Sequence, residues 1–227
     1  MQRHARRSIG RAVLPLRRAY GSSAMAMEAP LAEVGHTCEA SLKQAMASGE
    51  FARALDMLLQ YYQDAMVSYC YSTFPDWHLA QEIAQEVFLA AYEGMARFRG
   101  DSSVKTWLYG IASKKCLEAG RTRARREALA RTNQERIGAQ VHCAPPIDPE
   151  TLVRQERQRQ QVWQALHDLR AYDRELLILR YLQELTCEEV ASILQVSRRT
   201  IERHLPRAEA RFHQAYQKVL EYGTYLS

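Results

Sequence analysis

The side chains of this sequence that could bind a ligand are arginines, lysines and aromatic rings. The stretch "RRTIERHLPRAEARF", residues 198–212, carries five arginines in fifteen positions at helical spacing. Guanidinium groups bind phosphates and base edges, so this spacing is typical of a helix that binds nucleic acid. A solvated, charged tail has the same composition, and Pro206 and the two glutamates of the stretch favour that alternative. Both interpretations are open at this point.

A second basic segment places aromatic rings beside cations. Residues 97–126 contain nine basic and two acidic residues, and they include Trp107 and Tyr109. Stacking of an unpaired base on such a ring contributes about 1 to 3 kcal/mol, and neighbouring lysines can hold phosphates. The segment therefore indicates binding of single-stranded nucleic acid, although Trp107 could instead belong to a hydrophobic core.

An acidic segment directly precedes the basic one. Residues 76–96 contain Asp76, Glu82, Glu86 and Glu93 but no lysine or arginine. An acidic block beside a basic block indicates two different partners on one domain, although solvated helix faces also produce such runs. The remaining histidines and acids form no catalytic triad, metal site or phosphate loop. We therefore expect no enzyme, no metal and no cofactor.

Composition favours two small domains and a distinct N-terminus. The chain has 227 residues, of which 47% are hydrophobic, enough for a buried core. Its net charge of +5 comes from residues 1–27, which hold six arginines and no acid. This segment resembles an organelle transit peptide in composition, but a disordered arm or an over-long gene start before Met25 or Met27 is the stronger interpretation. We expect residues 1–47 to be a largely disordered extension or a start-site artefact.

The five cysteines are scattered, at positions 38, 70, 116, 143 and 187. They form no C-x-x-C pair and have no histidine at zinc-finger spacing, so we expect reduced thiols in a cytoplasmic protein. Nothing approaches the roughly 18 apolar residues that a membrane span needs, so no membrane insertion is expected.

Apolar residues recur at helical spacing along most of the chain, and no stretch alternates as a strand does. We predict helices over residues 48–73, from beyond Pro75 to about residue 96, and from about Ser103 onward. The proline-rich segment 127–149 reads as a linker, and residues 150–170 resume a helix. The fold class is all-α, with two small helical domains.

A helix-turn-helix follows in the second half. Thr186 with Glu189 is a capping box, and Ser197 is placed to cap the next helix. The inward positions are Val190, Ala191, Ile201 and Leu205. A second helix of this kind can enter the major groove of DNA. Pro206 predicts a kink or break near Leu205, which would redirect Arg207 and Arg211 to phosphates or solvent.

Two segments resemble a known family. "AQEIAQEVFLAAYEGMARFRGDSSVKTWLYGIASKK" closely resembles the second conserved region of bacterial extracytoplasmic-function (ECF) sigma factors, and "ALHDLRAYDRELLILRYLQELTCEEVASILQVSRRTIERHL" resembles the fourth. The resemblance implies a sigma-70-family initiation factor that is not itself an enzyme. It places region two at 48–126, the linker at 127–149, region four at 150–215 and a C-terminal tail at 216–227.

The resemblance also implies partners and site residues. Core RNA polymerase would bind region two through the clamp helices of its largest subunit, at Glu82, Gln85, Glu86 and Phe88, and its second-largest subunit would contribute its flap. The linker would thread toward the polymerase active-site channel. Promoter DNA and an anti-sigma factor complete the expected partners.

In the family, region two captures the melted −10 element and region four reads the −35 element. The loop Asp101, Ser102 and Ser103 would shape a pocket for an unstacked base, beside Lys105, Thr106, Trp107, Tyr109, Lys114 and Lys115. Gly110 and Lys114 depart from the arginine and asparagine that are common there. The −10 sequence that is read therefore stays open.

The −35 contacts would come from Ser197, Arg198, Arg199, Thr200, Glu202, Arg203, His204 and Arg207. The family pattern "LGVSxGTVKSRLHRAR" corresponds here to "LQVSRRTIERHLPRAE", with Gln195 at a left-handed glycine position and Glu202 and Glu209 in place of basic residues. These departures predict an atypical −35 sequence. They also leave two rivals open: a helix-turn-helix regulator that acts without polymerase, and a sigma-derived protein-interaction adaptor.

Overall fold

The computed structural model describes residues 31–130 and 160–224, and all the regular structure in these two ranges is helical. This confirms the predicted all-α class. The chain divides into two units, one largely of residues 30–142 and the other of residues from 143 onward, and each is described by itself. Most of the predicted linker, 131–149, lies outside the described residues.

The first unit is a bundle of four helices. These are α1 (Leu31–Ala47), α2 (Phe51–Thr73), α3 (Trp77–Gly94) and α4 (Val104–Ala130), with a 3-10 turn at Met95–Arg97. Helix α3 packs between α2 and α4, and α1 packs against α2 and α4. The core is filled by apolar side chains from all four helices: Leu42, Met46, Leu58, Met66, Tyr69, Ile83, Val87, Leu108 and Ala112.

The helix boundaries follow from local chemistry. Gly49, at φ +77°, turns the chain after α1, a conformation that glycine adopts without strain. Pro75 follows the end of α2, and Asp76 begins α3 by accepting a hydrogen bond from the amide of Leu79 at 3.2 Å. The predicted break at Pro75 is confirmed.

Helix α1 corrects the expectation of disorder only for the last part of residues 1–47, at Leu31–Ala47. Leu42, Ala45 and Met46 are buried, and they lie at positions i, i+3 and i+4 of one helix face. Three apolar positions make too short a pattern to predict a helix from the sequence. The helix is stabilised by packing of these side chains on α2 and α4. Residues 1–30 lie outside the described residues. At the other end, α4 extends to Ala130, past the predicted boundary at 126.

The second unit contains four helical segments. They are α5 (160–167), α6 (Ala171–Leu177), which continues as a π-helical turn at Ile178–Leu182, α7 (Cys187–Leu194) and α8 (Arg198–Thr224). Helix α6 packs against α8. The buried apolar residues include Val162, Leu166, Leu176, Leu179, Val190, Ile201 and Phe212.

Helix α8 runs without a break through Pro206, so of the kink or break predicted near Leu205, the break does not occur. Pro206 is exposed, and burial of Ile201, Ala208 and Phe212 on the opposite side holds the two halves in one helix. The same helix continues to Thr224, with Tyr216 and Val219 buried. The predicted tail at 216–227 is therefore helical as far as Thr224.

Candidate nucleic-acid interface

The helix-turn-helix is built by the predicted caps. The amide of Thr186 donates to Glu189 Oε2 at 2.8 Å, and the amide of Glu189 donates to Thr186 Oγ1 at 3.2 Å. Gln195 turns the chain at φ 54°, which confirms the left-handed residue expected there. Ser197 then begins α8 by accepting from the amide of Thr200 at 3.2 Å. All three local predictions are confirmed.

The start of α8 presents a polar concavity to solvent. Its volume is about 420 Å³, and its lining residues are Ser197, Arg199, Thr200, Glu202 and Arg203. Arg199, Arg203 and Arg207 are exposed. Five of the eight predicted −35 residues thus share one accessible surface, with two cations and one carboxylate on it.

Arg198 differs from the neighbouring arginines because it is already paired. Its Nε donates to Glu202 Oε1 at 2.7 Å, and its Nη1 donates to Glu188 Oε1 of α7. The hydrogen bonds to Glu202 and Glu188 raise the pKa of the Arg198 guanidinium. In this conformation two carboxylates orient Arg198, while Arg199 and Arg203 are exposed.

Two side chains of α8 contact the rest of the unit. Arg211 was expected to reach phosphates or solvent; its side chain is 45% exposed, and its Nη1 also donates to Asp173 Oδ2 of α6 at 2.6 Å. Glu209 was one of the departures from which an atypical −35 sequence was predicted, but it is only 6% exposed and accepts a hydrogen bond from the Tyr181 hydroxyl. Burial raises the pKa of Glu209, and the bond from Tyr181 partly opposes that rise.

His204 is half-buried, because its ring packs edge-on against Tyr172 at a centroid distance of 5.7 Å. This contact holds the ring at the edge of the α8 surface. Its predicted −35 contact stays a prediction.

The loop before α4 has its own capping system. Ser103 Oγ accepts from the amide of Thr106 at 2.9 Å and lies 2.8 Å from Thr106 Oγ1. Glu39 of α1 accepts from the amide of Val104 at 3.2 Å. Glu39 was missed by the sequence reasoning because it lies 65 positions from its partner. The loop residues Asp101, Ser102 and Ser103 are exposed or half-buried.

Trp107 is partly exposed, and its ring packs against neighbouring residues of the same unit. Its ring packs against Phe98 at a centroid distance of 5.1 Å, and a Cβ added at Gly94 would lie 3.2 Å from Trp107 Cζ2. Gly94 therefore leaves the space that the indole occupies. The ring is therefore partly buried, and its predicted stacking on an unpaired base stays a prediction.

Thr106 and Tyr109 correct the predicted −10 surface. Thr106 is buried beside Ser103, and Tyr109 is 1% exposed, with its ring edge-on to Tyr69 at 5.3 Å. Burial raises the pKa of the Tyr109 hydroxyl well above its ordinary value. Neither side chain has a face open to a base, because each points from α4 into the bundle.

The lysines of α4 lie nearer the surface. Lys114 is exposed, and Lys105 and Lys115 are half-buried. Lys115 Nζ lies 3.4 Å from Glu86 Oε2 of α3 and 3.7 Å from Glu118 Oε2. The predicted polymerase-binding and DNA-binding residues therefore meet at an ion pair between α3 and α4.

The outer face of α3 carries the predicted acidic surface. Glu82, Gln85 and Glu86 are exposed on it. Phe88 is only 6% exposed, so it supports this helix from the core and cannot be a direct contact in this conformation. Leu89, 61% exposed, and Tyr92, 43% exposed, lie on the acidic side instead. Sequence reasoning missed both, although Leu89 follows Gln85 by four residues and Tyr92 follows Leu89 by three, a spacing that places them on this face.

Within the two described ranges, no cluster of histidine, cysteine and acidic side chains could hold a metal ion. No helix there is long and apolar enough to cross a bilayer.

Two family models match the segments in which these residues lie. The model for Sigma-70 region 2 matches residues 58–126, and the model for Sigma-70, region 4 matches residues 159–212. The first match spans α3 and α4, and the second spans the helix-turn-helix.

Several curated sigma factors are similar over most of their length. RNA polymerase sigma factor YlaC of Bacillus subtilis is 32% identical over 67% of this chain and 86% of the relative. RNA polymerase sigma-H factor of Pseudomonas aeruginosa is 30% identical over 74% of this chain and 89% of the relative. ECF RNA polymerase sigma-E factor of Escherichia coli is 30% identical over 69% and 83%.

Two solved structures share the fold. The sigma factor RpoE of Bartonella quintana, in complex with the anti-sigma factor NepR, matches with a TM-score of 0.58 at 22% identity, over 71% of this chain and 96% of that one. CnrH, in complex with the cytosolic domain of CnrY, matches with a TM-score of 0.56 at 19% identity, over 80% and 98%. Matched in both of its regions and along most of these relatives, the chain belongs to the ECF sigma factors of the sigma-70 family.

Proposed function

We propose that this sigma factor joins core RNA polymerase and directs initiation at promoters with distinct −10 and −35 elements. The observation that carries the proposal is the meeting of an acidic helix face, on α3, with a basic helix, on α4, in one small unit. Each face suits a different partner, and the ion pair between Glu86 and Lys115 lies at their border. The protein acts by binding and positioning, in the cytoplasm where polymerase and promoters are found.

The polymerase contact is the exposed face of α3. Glu82, Gln85 and Glu86 offer carboxylates and an amide to a basic coiled coil such as the clamp helices. Leu89 and Tyr92 add apolar surface at the same face, and burial of such side chains supplies the affinity that exposed ion pairs lack. The flap of the second-largest subunit is the proposed partner of the region four unit.

The −10 contact is the surface around the start of α4. Unstacking a base costs a few kcal/mol, which stacking on a protein ring and binding of phosphates by cations must offset. Trp107 offers a partly open ring, the loop residues Asp101 and Ser102 offer polar groups, and Lys114 offers a cation. Thr106 and Tyr109 act behind this surface, where they hold α4 in place.

The −35 contact is the concavity at the start of α8. Arg199 and Arg203 are free to approach phosphates or guanine edges, and the Glu202 carboxylate could accept from cytosine N4. Glu202 also accepts a hydrogen bond from Arg198, so the two side chains would contact the base edges of the major groove together. We therefore propose a −35 sequence that differs from those read by family members with basic residues at position 202.

An anti-sigma factor is the proposed regulator, since the sigma factor RpoE of Bartonella quintana, which shares this fold, is complexed with the anti-sigma factor NepR. Its candidate surface includes the exposed Leu89 and Tyr92. A bound regulator covering this face would compete directly with core polymerase.

Charge reversal on α3 tests the polymerase contact. Glu82→Lys should weaken binding of core polymerase at least about tenfold, because a lysine at this position repels the basic coiled coil that the carboxylate attracts. Asp56→Lys, an equal charge change on an exposed part of α2, should leave the affinity within about twofold. Equal losses in both variants, measured by fluorescence anisotropy with labelled protein, would refute this surface.

Neutralisation of one arginine tests the −35 contact. Arg203→Gln should weaken binding to −35 duplex DNA and lower its salt dependence by about one counterion. Lys218→Gln, which lies in the same helix four turns later, is the matched control.

A regulator that acts without polymerase would bind its duplex normally yet form no complex with core polymerase. The adaptor alternative predicts the reverse, and it has lost one support because Glu209 is buried.

A further inference from the structure

Two buried cysteines face each other across the first unit. Cys70 of α2 is 0% exposed and Cys116 of α4 is 4% exposed. The Cys116 thiol donates to Cys70 Sγ, with 4.0 Å between the sulfurs. The two residues lie 46 positions apart, so the pair exists only when α2 and α4 are packed in the folded bundle.

We propose that Cys70 and Cys116 are a modification site, at which a hydroperoxide oxidises the pair to an intramolecular disulfide that joins α2 to α4. A disulfide has an S–S length of about 2.05 Å, so the sulfurs must approach each other by about 2 Å. They are already in van der Waals contact with no side chain between them.

The chemistry is balanced by one equivalent of hydroperoxide. The Cys116 thiolate attacks the O–O bond, and its sulfur becomes a sulfenic acid as hydroxide leaves. The Cys70 sulfur then attacks the sulfenic sulfur, forms the S–S bond and displaces the second oxygen as water. Two thiols and one molecule of hydrogen peroxide thus give one disulfide and two molecules of water. Cys116 reacts first because it is the less buried of the two.

The bond would cross-link α4, which carries the proposed DNA-binding lysines, to the core face of α2. Cys116 directly follows Lys114 and Lys115 on α4, whereas Cys70 belongs to the core face of α2. The expectation of reduced thiols in the cytoplasm describes the resting state, and oxidant would convert it to the cross-linked state. The proposal about the bond itself does not rest on the proposed function.

Peptide mapping of the full-length protein tests the bond without any variant. The protein is treated with hydrogen peroxide, its remaining thiols are alkylated, and it is digested with trypsin. Cleavage after Arg53, Arg97, Lys115 and Arg121 places Cys70 in peptide 54–97 and Cys116 in peptide 116–121. The expected product is these two peptides joined, with the loss of two hydrogen atoms and with release by dithiothreitol.

The proposal is overturned if Cys116 is recovered as the alkylated thiol, as sulfinic or sulfonic acid, or in a disulfide with a cysteine other than Cys70. The variant Cys187→Ala, which removes a thiol of the other unit, should form the same cross-link, whereas Cys116→Ala should not.

Thermal unfolding tests whether the bond fits the native bundle. Cross-linking residues this far apart restricts the unfolded chain, so the oxidised protein should melt at least about 5 °C higher than the reduced protein. An unchanged or lower melting temperature of the cross-linked protein would show that the bond distorts the bundle, contrary to the proposal.

Discussion

At the scale of single residues, the two glutamates of α8 have different environments. Glu202 is exposed and orients Arg198, whereas Glu209 is buried against Tyr181. The sequence showed both as unusual acids among arginines, but burial of Glu209 depends on a partner 28 positions away. The caps at Thr186 and Ser197 were predictable because both partners of each bond lie within three residues.

The raised pKa of Glu209 predicts a pH-dependent contribution to stability. The folded state binds the proton more tightly than the unfolded state, whose pKa is near 4.5. The contribution is therefore present below that pH and is lost as pH rises through the folded pKa. Glu209→Gln should gain stability relative to the unaltered protein between about pH 4.5 and pH 7.5, measured by urea unfolding at both values.

Tyr181→Phe is the companion variant. It removes the hydrogen bond that lowers the pKa of Glu209, so the pH dependence should become steeper. A stability difference between Glu209→Gln and the unaltered protein that is constant with pH would contradict this account.

Gly110 predicts a stabilising substitution. It lies within α4, and a Cβ added there meets no atom within 4 Å. Gly110→Ala should raise the free energy of unfolding by about 0.5 to 1 kcal/mol, because alanine has the higher helix propensity. Gly100→Ala is the matched control: its added Cβ also meets nothing, but Gly100 has φ +79°, so the variant should lose about 1 kcal/mol. Destabilisation by Gly110→Ala in urea unfolding would show that the glycine is needed.

At the scale of elements, the long periodic helices were predictable and the context-dependent ones were not. Helices α2, α3 and α4 followed from apolar spacing together with Pro75. Helix α1 was missed because its buried stripe is short, and the π-helical turn at Ile178–Leu182 has no pattern in the sequence. Near Pro206 the sequence predicted a kink or a break, and the break does not occur because packing of α8 overrides the local propensity.

Helix α1 predicts where the first unit can be truncated. A chain that begins at residue 48 loses burial of Leu42 and Met46, each of which stabilises by about 1.5 to 3 kcal/mol, and it loses the Glu39 cap of α4. It should therefore melt well below the full-length protein. A chain that begins at Met27 keeps α1 and is the control. Equal melting temperatures for all three chains, followed by circular dichroism, would show that α1 adds nothing.

Pro206 predicts a second effect on an element. Pro206→Ala restores the amide that can donate to the Glu202 carbonyl, so the unfolding free energy should rise by about 1 to 3 kcal/mol. Binding to −35 duplex DNA should be unchanged, because Arg199 and Arg203 precede the site. Gln214→Ala, at an exposed position of the same helix, should change stability by less than about 0.5 kcal/mol. Loss of stability in Pro206→Ala would mean that the proline adapts α8 to its neighbours.

At the scale of the whole molecule, two helical units carry three proposed contacts. The fold and family could be predicted from the sequence because two motif-bearing segments occur in order. The contact residues could be predicted only in part. Phe88, Thr106 and Tyr109 share sequence neighbourhoods with exposed residues, yet the helix period turns them inward. Leu89 and Tyr92 are turned outward by the same geometry.

Run-off transcription with core RNA polymerase on promoter templates tests the central claim most directly. The unaltered protein should produce a discrete transcript that core polymerase alone does not, Glu82→Lys and Arg203→Gln should reduce it at least about fivefold, and Asp56→Lys and Lys218→Gln should not. Absence of any transcript from a protein that is folded and binds DNA would contradict the account.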